Sequence, residues 1–106
     1  MPQTSVVVAR LDEIPEGKVK VVETNGYRIA LCNYQGTIYA IDDVCTHDRG
    51  PLGQGELIGQ EIECPRHGAR FDVTTGAAVR LPAVRPVRSY PVLVADGTVS
   101  VEVPQG

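Results

Sequence analysis

Histidine occurs only twice in this sequence, cysteine three times, and aromatic residues make up 5% of it. Few aromatics and no basic stripe leave little to stack on bases or neutralise phosphates, which argues against a nucleic-acid partner. No apolar run approaches the ~20 residues a helix needs to cross a bilayer. The longest early one is Val6-Val7-Val8-Ala9. Met1-Pro2-Gln3-Thr4 carries no basic segment and opens no signal-peptide core. Sustained helical periodicity, internal repeats, low-complexity tracts and linkers are all missing. So is a Gly-rich turn between a strand and a helix, which excludes a nucleotide-binding flavin reductase. These absences lead to a cytoplasmic protein with no membrane partner, in a compartment that keeps thiols reduced.

What is present fits a single small domain, residues 1–106, of ordinary globular composition: 42% hydrophobic and 22% charged. The net charge of −3 is unevenly placed. Residues 1–63 hold ten acidic and five basic side chains, and residues 64–106 hold three and five. Such charges either solvate a surface or steer a partner.

The local pattern is β throughout. Ser5–Leu11 is β-branched and apolar and reads as a strand, ended by Asp12-Glu13-Ile14-Pro15-Glu16-Gly17. Val19–Glu23 and Tyr27–Cys32 flank Asn25-Gly26, whose residues tolerate the positive φ of a tight hairpin. A turn at Tyr34-Gln35-Gly36 leads into Thr37–Ile41. Glu61–Cys64 is a short alternating strand, and Phe71–Val73 and Ala77–Val79 flank a turn at Thr74-Thr75-Gly76. Pro82, Pro86 and Pro91 predict an irregular segment, because proline cannot donate to a ladder. Pro91–Ala95, Asp96-Gly97 and Thr98–Val103 predict a last hairpin, with Val99, Val101 and Val103 on one face. Short strands punctuated this often indicate an all-β sandwich or barrel.

Both histidines and two of the cysteines fall in one stretch, as Cys45-Thr46-His47 and Cys64-Pro65-Arg66-His67. Ligands two apart on extended backbone project to the same side. In the second segment Pro65 favours a tight turn, and Gly68 allows close backbone approach or positive φ. Two thiolates and two imidazoles are the donor set of a [2Fe–2S] cluster in which sulfur holds one iron and nitrogen the other. Cys45, His47, Cys64 and His67 are therefore the candidate metal ligands, each segment giving one ligand to each iron. The same four donors suit structural zinc, although zinc modules usually pair Cys with Cys and His with His. Unrelated loop residues are the remaining reading. Cys32 sits mid-strand and reads as a buried, inert thiol.

On those motifs the chain resembles the Rieske-type ferredoxins, small [2Fe-2S] proteins that serve bacterial ring-hydroxylating dioxygenases. The resemblance runs from about Ser5 to Val103 and is sharpest in Cys45-Thr46-His47 and in Cys64 to Asp72. It implies a Rieske-like β sandwich or barrel with a small two-loop cluster-binding subdomain at residues 44–72. It also implies a third, proline-containing loop over the cluster, best matched by Leu81-Pro82-Ala83. One Rieske-type [2Fe-2S] cluster is implied, with Cys45 and Cys64 on the inner iron and His47 and His67 on the outer.

High-potential relatives carry two further cysteines as a disulfide, where this chain has Gly50 and Arg66. They also carry a serine and a tyrosine that hydrogen-bond cluster sulfur, where it has Ala69 and Phe71. Losing those donors implies a low potential.

A mononuclear oxygenase iron needs two more histidines, and the chain has none to spare, so it is not a catalytic subunit. The resemblance implies a monomeric carrier. It takes single electrons from an NAD(P)H-linked flavoprotein ferredoxin reductase and delivers them to a terminal oxygenase, meeting both transiently. Asp48, Arg49, Arg66 and Arg70 are candidate steering charges. The alternative is the small Rieske-like subunit of an assimilatory nitrite reductase.

Overall fold

Three pairs ending in glycine turn the chain back on itself. Asn25-Gly26, Gln35-Gly36 and Asp96-Gly97 all have positive φ at both positions, the geometry of the two-residue hairpin whose twist matches its strands. The computed structural model describes residues 3–45, 50–65, 68–81, 83 and 85–104. Among them the fold is eleven strands and one 3-10 turn, Leu11–Glu13.

The first sheet orders β1 (Gln3–Arg10), β11 (Thr98–Pro104) and β10 (Val92–Ala95). The second orders β2 (Val19–Thr24), β3 (Tyr27–Tyr34), β4 (Thr37–Asp42) and β9 (Ser89–Tyr90). The third orders β5 (Leu57–Ile58), β6 (Glu61–Glu63), β7 (Arg70–Asp72) and β8 (Ala78–Arg80). Every pairing is antiparallel.

The second sheet is the middle layer. Alternate residues of β3 serve two cores, which is why Ile29-Ala30-Leu31-Cys32 is an unbroken apolar run. Ile29 and Leu31 pack with Val99, Val101 and Val103 of the first sheet. Ala30 and Cys32 pack with Cys45, Leu52, Ile62, Cys64 and Phe71 on the other side. The third sheet and the first loop thus form a subdomain on the face opposite β11.

The strands expected from the sequence are present, with ends shifted by one or two residues. Leu11 leaves β1 for the 3-10 turn, where the Glu13 carboxylate accepts the Arg10 backbone N–H at 2.8 Å. Two strands were not legible. β5 is only two residues long, and β9 lies inside the proline-rich segment expected to be irregular. Pro86 and Pro91 bracket β9, so pairing with β4 is confined to Ser89 and Tyr90 at the sheet edge.

Candidate metal centre

The first loop leaves β4 at Asp42 and closes quickly, the Cys45 backbone N–H donating to the Gly50 carbonyl at 2.7 Å. Returning, it drops Leu52 into the core and runs along β6, where Glu63 N–H donates to Glu56 C=O at 3.0 Å. Contact is so close that a Cβ at Gly55 would overlap the Glu63 carbonyl, so only glycine fits. The second loop joins β6 to β7. Cys64 N–H donates to Ala69 C=O at 2.7 Å, and Gly68 N–H donates back to Cys64 C=O at 3.1 Å. Gly68 has φ +76, the left-handed conformation its position after the motif suggested.

Cys45 and Cys64, on separate loops, are 0% and 1% exposed and belong to one core with Leu52, Ala69, Phe71 and Ala83. Two soft sulfur donors in one dry, apolar cluster fit the sulfur side of an iron–sulfur centre, since a thiolate there needs a cation to offset its desolvation. His47 and His67 lie outside the described residues, as do Thr46, Asp48, Arg49, Arg66, Pro82 and Val84. Among the described residues no group of three or more His, Cys, Asp or Glu side chains is placed to hold a metal ion.

Cys32 shares this core but differs in chemistry. Burial, then the negative charge of Asp43, pushes its thiol up to about 12, so it stays protonated at neutral pH. That fits the inert reading. Ala69 and Phe71 are fully buried beside the two thiols and carry no hydroxyl. On the third loop Ala83 is buried in the same core while Leu81 is 74% exposed.

Arg70, one of the candidate steering charges, keeps 26% of its side chain exposed. It is ion-paired to Glu63 at 3.1 Å and Glu61 at 3.6 Å, and Arg80 adds a 3.8 Å contact to Glu63. The registers Glu63↔Arg70 and Arg70↔Arg80 explain the network: these side chains are cross-strand neighbours at the base of the second loop.

Two anchors escaped sequence reasoning. Tyr90 donates its hydroxyl to Asp42, and burial followed by that carboxylate raises its pKa. That bond joins β9 to β4, while the Arg88 guanidinium, just before β9, lies 5.8 Å from the ring centroid of Tyr27 on β3. Asp43 is the other. Its side chain is fully buried, and the only signal was an acidic pair placed just before Cys45.

The fold is a three-sheet β domain with buried thiols on two adjoining loops. The chain belongs to the Rieske family: the model described as Rieske [2Fe-2S] domain matches residues 4–91. A Rieske-type iron–sulfur cluster comes with that membership. The chain is 46% identical over 96 residues to the ferredoxin component of the naphthalene 1,2-dioxygenase/salicylate 5-hydroxylase systems of Ralstonia sp, covering 91% of this chain and 92% of the relative. Among solved structures it is similar to the ferredoxin of carbazole 1,9a-dioxygenase from Nocardioides aromaticivorans IC177. The TM-score is 0.89 at 38% identity, over 92% and 96% of the two chains. It also matches a chain in the complex of reduced oxygenase and oxidized ferredoxin in carbazole 1,9a-dioxygenase, with TM-score 0.87, 33% identity and 92% and 91% coverage. A putative nitrite reductase NADPH small subunit has TM-score 0.79 at 20% identity, over 92% and 97% of the chains, a likeness of fold alone. No helix of the described residues is long and apolar enough to cross a membrane.

Proposed function

We propose that this protein is the Rieske ferredoxin of an aromatic-ring-hydroxylating oxygenase system. It accepts single electrons from an NAD(P)H-linked flavoprotein reductase and delivers them to a terminal oxygenase. It is a carrier, not an enzyme. One observation bears most of the weight: Cys45 and Cys64, from two loops, are buried in one apolar core. Cys45 and Cys64 would hold one iron of a single [2Fe-2S] cluster, and His47 and His67 the other. When bound, that group supplies a one-electron couple. The protein's own residues exclude water from the sulfur side through Leu52, Phe71 and Ala83, and fix the second loop through the Arg70–Glu63 pair.

Docking falls to the loop end. Leu81 and the half-exposed Val79 lie beside the second loop, because Arg80 pairs with Arg70 in register. A carrier must release each partner, so the interface is expected to be small, below about 1,200 Å² in total. The reading takes the chain as one domain that acts as a cytoplasmic monomer. The nitrite reductase alternative has a likeness of fold alone behind it.

Metal analysis of protein from iron-replete cells tests the proposal. Two irons and two inorganic sulfides per chain, a red-brown colour and a Rieske EPR signal on reduction are expected. Stopped-flow mixing with a reductase and oxygenase of this class should then show the electron passing through. One zinc per chain, colourless protein, overturns it.

A further inference from the structure

Asp43 lies two positions before Cys45, and its side chain is 0% exposed. A carboxylate removed from water costs several kcal/mol unless it is paired and hydrogen-bonded. Here it is both. Arg28 Nη2, on β3, lies 3.0 Å from Oδ2, and the backbone N–H of Gly53 donates to Oδ1. The Asp43 backbone N–H also donates to the Arg28 carbonyl at 3.0 Å. One side chain thus ties β3, the start of the first loop and its returning limb together. Gly53 is closely enclosed: a Cβ there would overlap the Val21 side chain and lie 2.9 Å from Asp43 Oδ1.

The two halves of the ion pair differ in environment. The Arg28 side chain is 53% exposed and is shared with Glu23 at 3.4 Å. Its charge is screened by water and salt, whereas the carboxylate is dry and fixed. At the start of the first loop the pair therefore presents a partly compensated negative charge.

We propose that Asp43 is a positioning residue that locks the first loop to β3 and sets a fixed negative charge two residues from Cys45, with Arg28 deciding how much of that charge is felt. This rests on the reading that Cys45 and Cys64 hold a Rieske-type cluster. A fixed negative charge disfavours the gain of an electron and lowers the reduction potential; the guanidinium offsets it. Removing either charge then moves the potential in opposite directions. A merely structural lock predicts otherwise, because loosening the same loop from either end moves it the same way.

The experiment is protein-film voltammetry on the holoprotein and on Asp43→Asn, Arg28→Gln and Arg28→Lys, with iron content and EPR recorded for each. Asp43→Asn keeps an oxygen for the Gly53 N–H and is expected to shift the potential positive. Arg28→Gln, at a half-exposed side chain, is expected to shift it negative by a smaller amount. Arg28→Lys keeps the charge and is expected to restore the wild-type value. If Asp43→Asn fails to assemble, the two Arg28 variants carry the test alone. Shifts of one sign in both neutralised variants, or an unmoved potential in Arg28→Gln at wild-type iron content, overturn the proposal. A wild-type protein without iron overturns the underlying reading instead, and metal analysis shows that before any variant is compared.

Discussion

Single residues decide the polarity of the sulfur environment. Where relatives of high potential place hydroxyls, Ala69 and Phe71 present methyl and phenyl groups in the core that holds Cys45 and Cys64. Hydrogen bonds to cluster sulfur stabilise the reduced state, so their loss lowers the potential. Rieske centres span about −150 to about +300 mV, and this protein is expected at the lower end. Ala69→Ser should raise the value. A wild-type potential above about +100 mV by voltammetry contradicts the expectation. Steric limits act at the same scale. Phe71 has no exposed surface, and truncation of such a residue to alanine costs about 3–5 kcal/mol. A small domain has only about 5–15 kcal/mol in hand.

Among the elements, the third sheet is the most dependent on its turns, since its strands are only two or three residues long. Asp72 ends β7 and organises the turn into β8. Its carboxylate accepts the Thr74 backbone N–H at 2.8 Å, the Thr74 hydroxyl at 2.6 Å and the Gln60 amide at 2.7 Å. Burial by itself would raise its pKa, but these donors and the Thr75 N–H outweigh burial and leave it lowered. A lowered folded-state value means the stabilisation is fully present above the unfolded pKa of about 3.9 and is lost as pH falls through the folded value. Asp72→Asn should therefore melt below wild type at pH 7, with the gap closing on acidification below about pH 4. A gap independent of pH in thermal melts would show that the charge of Asp72 does not contribute. The Arg70 network belongs to this scale as well. It links β6, β7 and β8 at the base of the second loop.

For the molecule as a whole, the two cores divide the labour. One lies between the first and second sheets and contains no cysteine; the other includes both candidate sulfur ligands and reaches from β3 to the third loop. Loss of metal would leave two desolvated thiols and two loops without their common anchor, while the first core stays intact. Removing the metal by chelation under reducing conditions is expected to lower the melting temperature by about 10 °C or more, in line with a loss of roughly 2 kcal/mol in a domain of this size. Retained β-sheet circular dichroism should accompany it at room temperature. An unchanged melting temperature contradicts the coupling.

The sequence by itself determined the hairpins and the Cys/His spacing, because each depends on neighbours within a few residues; that alternate residues of β3 serve two cores was decided by the sheets packed on either side. Asn25-Gly26 can hardly be anything but a tight turn, and two short Cys/His segments restrict the donor chemistry to very few metals. Contacts between distant segments were decided only by the tertiary structure. β9 exists because Ser89 and Tyr90 reach the edge of β4. Arg70 is taken up by Glu61 and Glu63 because three strands align in register. Asp43 is buried against Arg28, fifteen residues away, and Gly53, ten residues away, and no local pattern encodes a carboxylate whose partners arrive from two other segments.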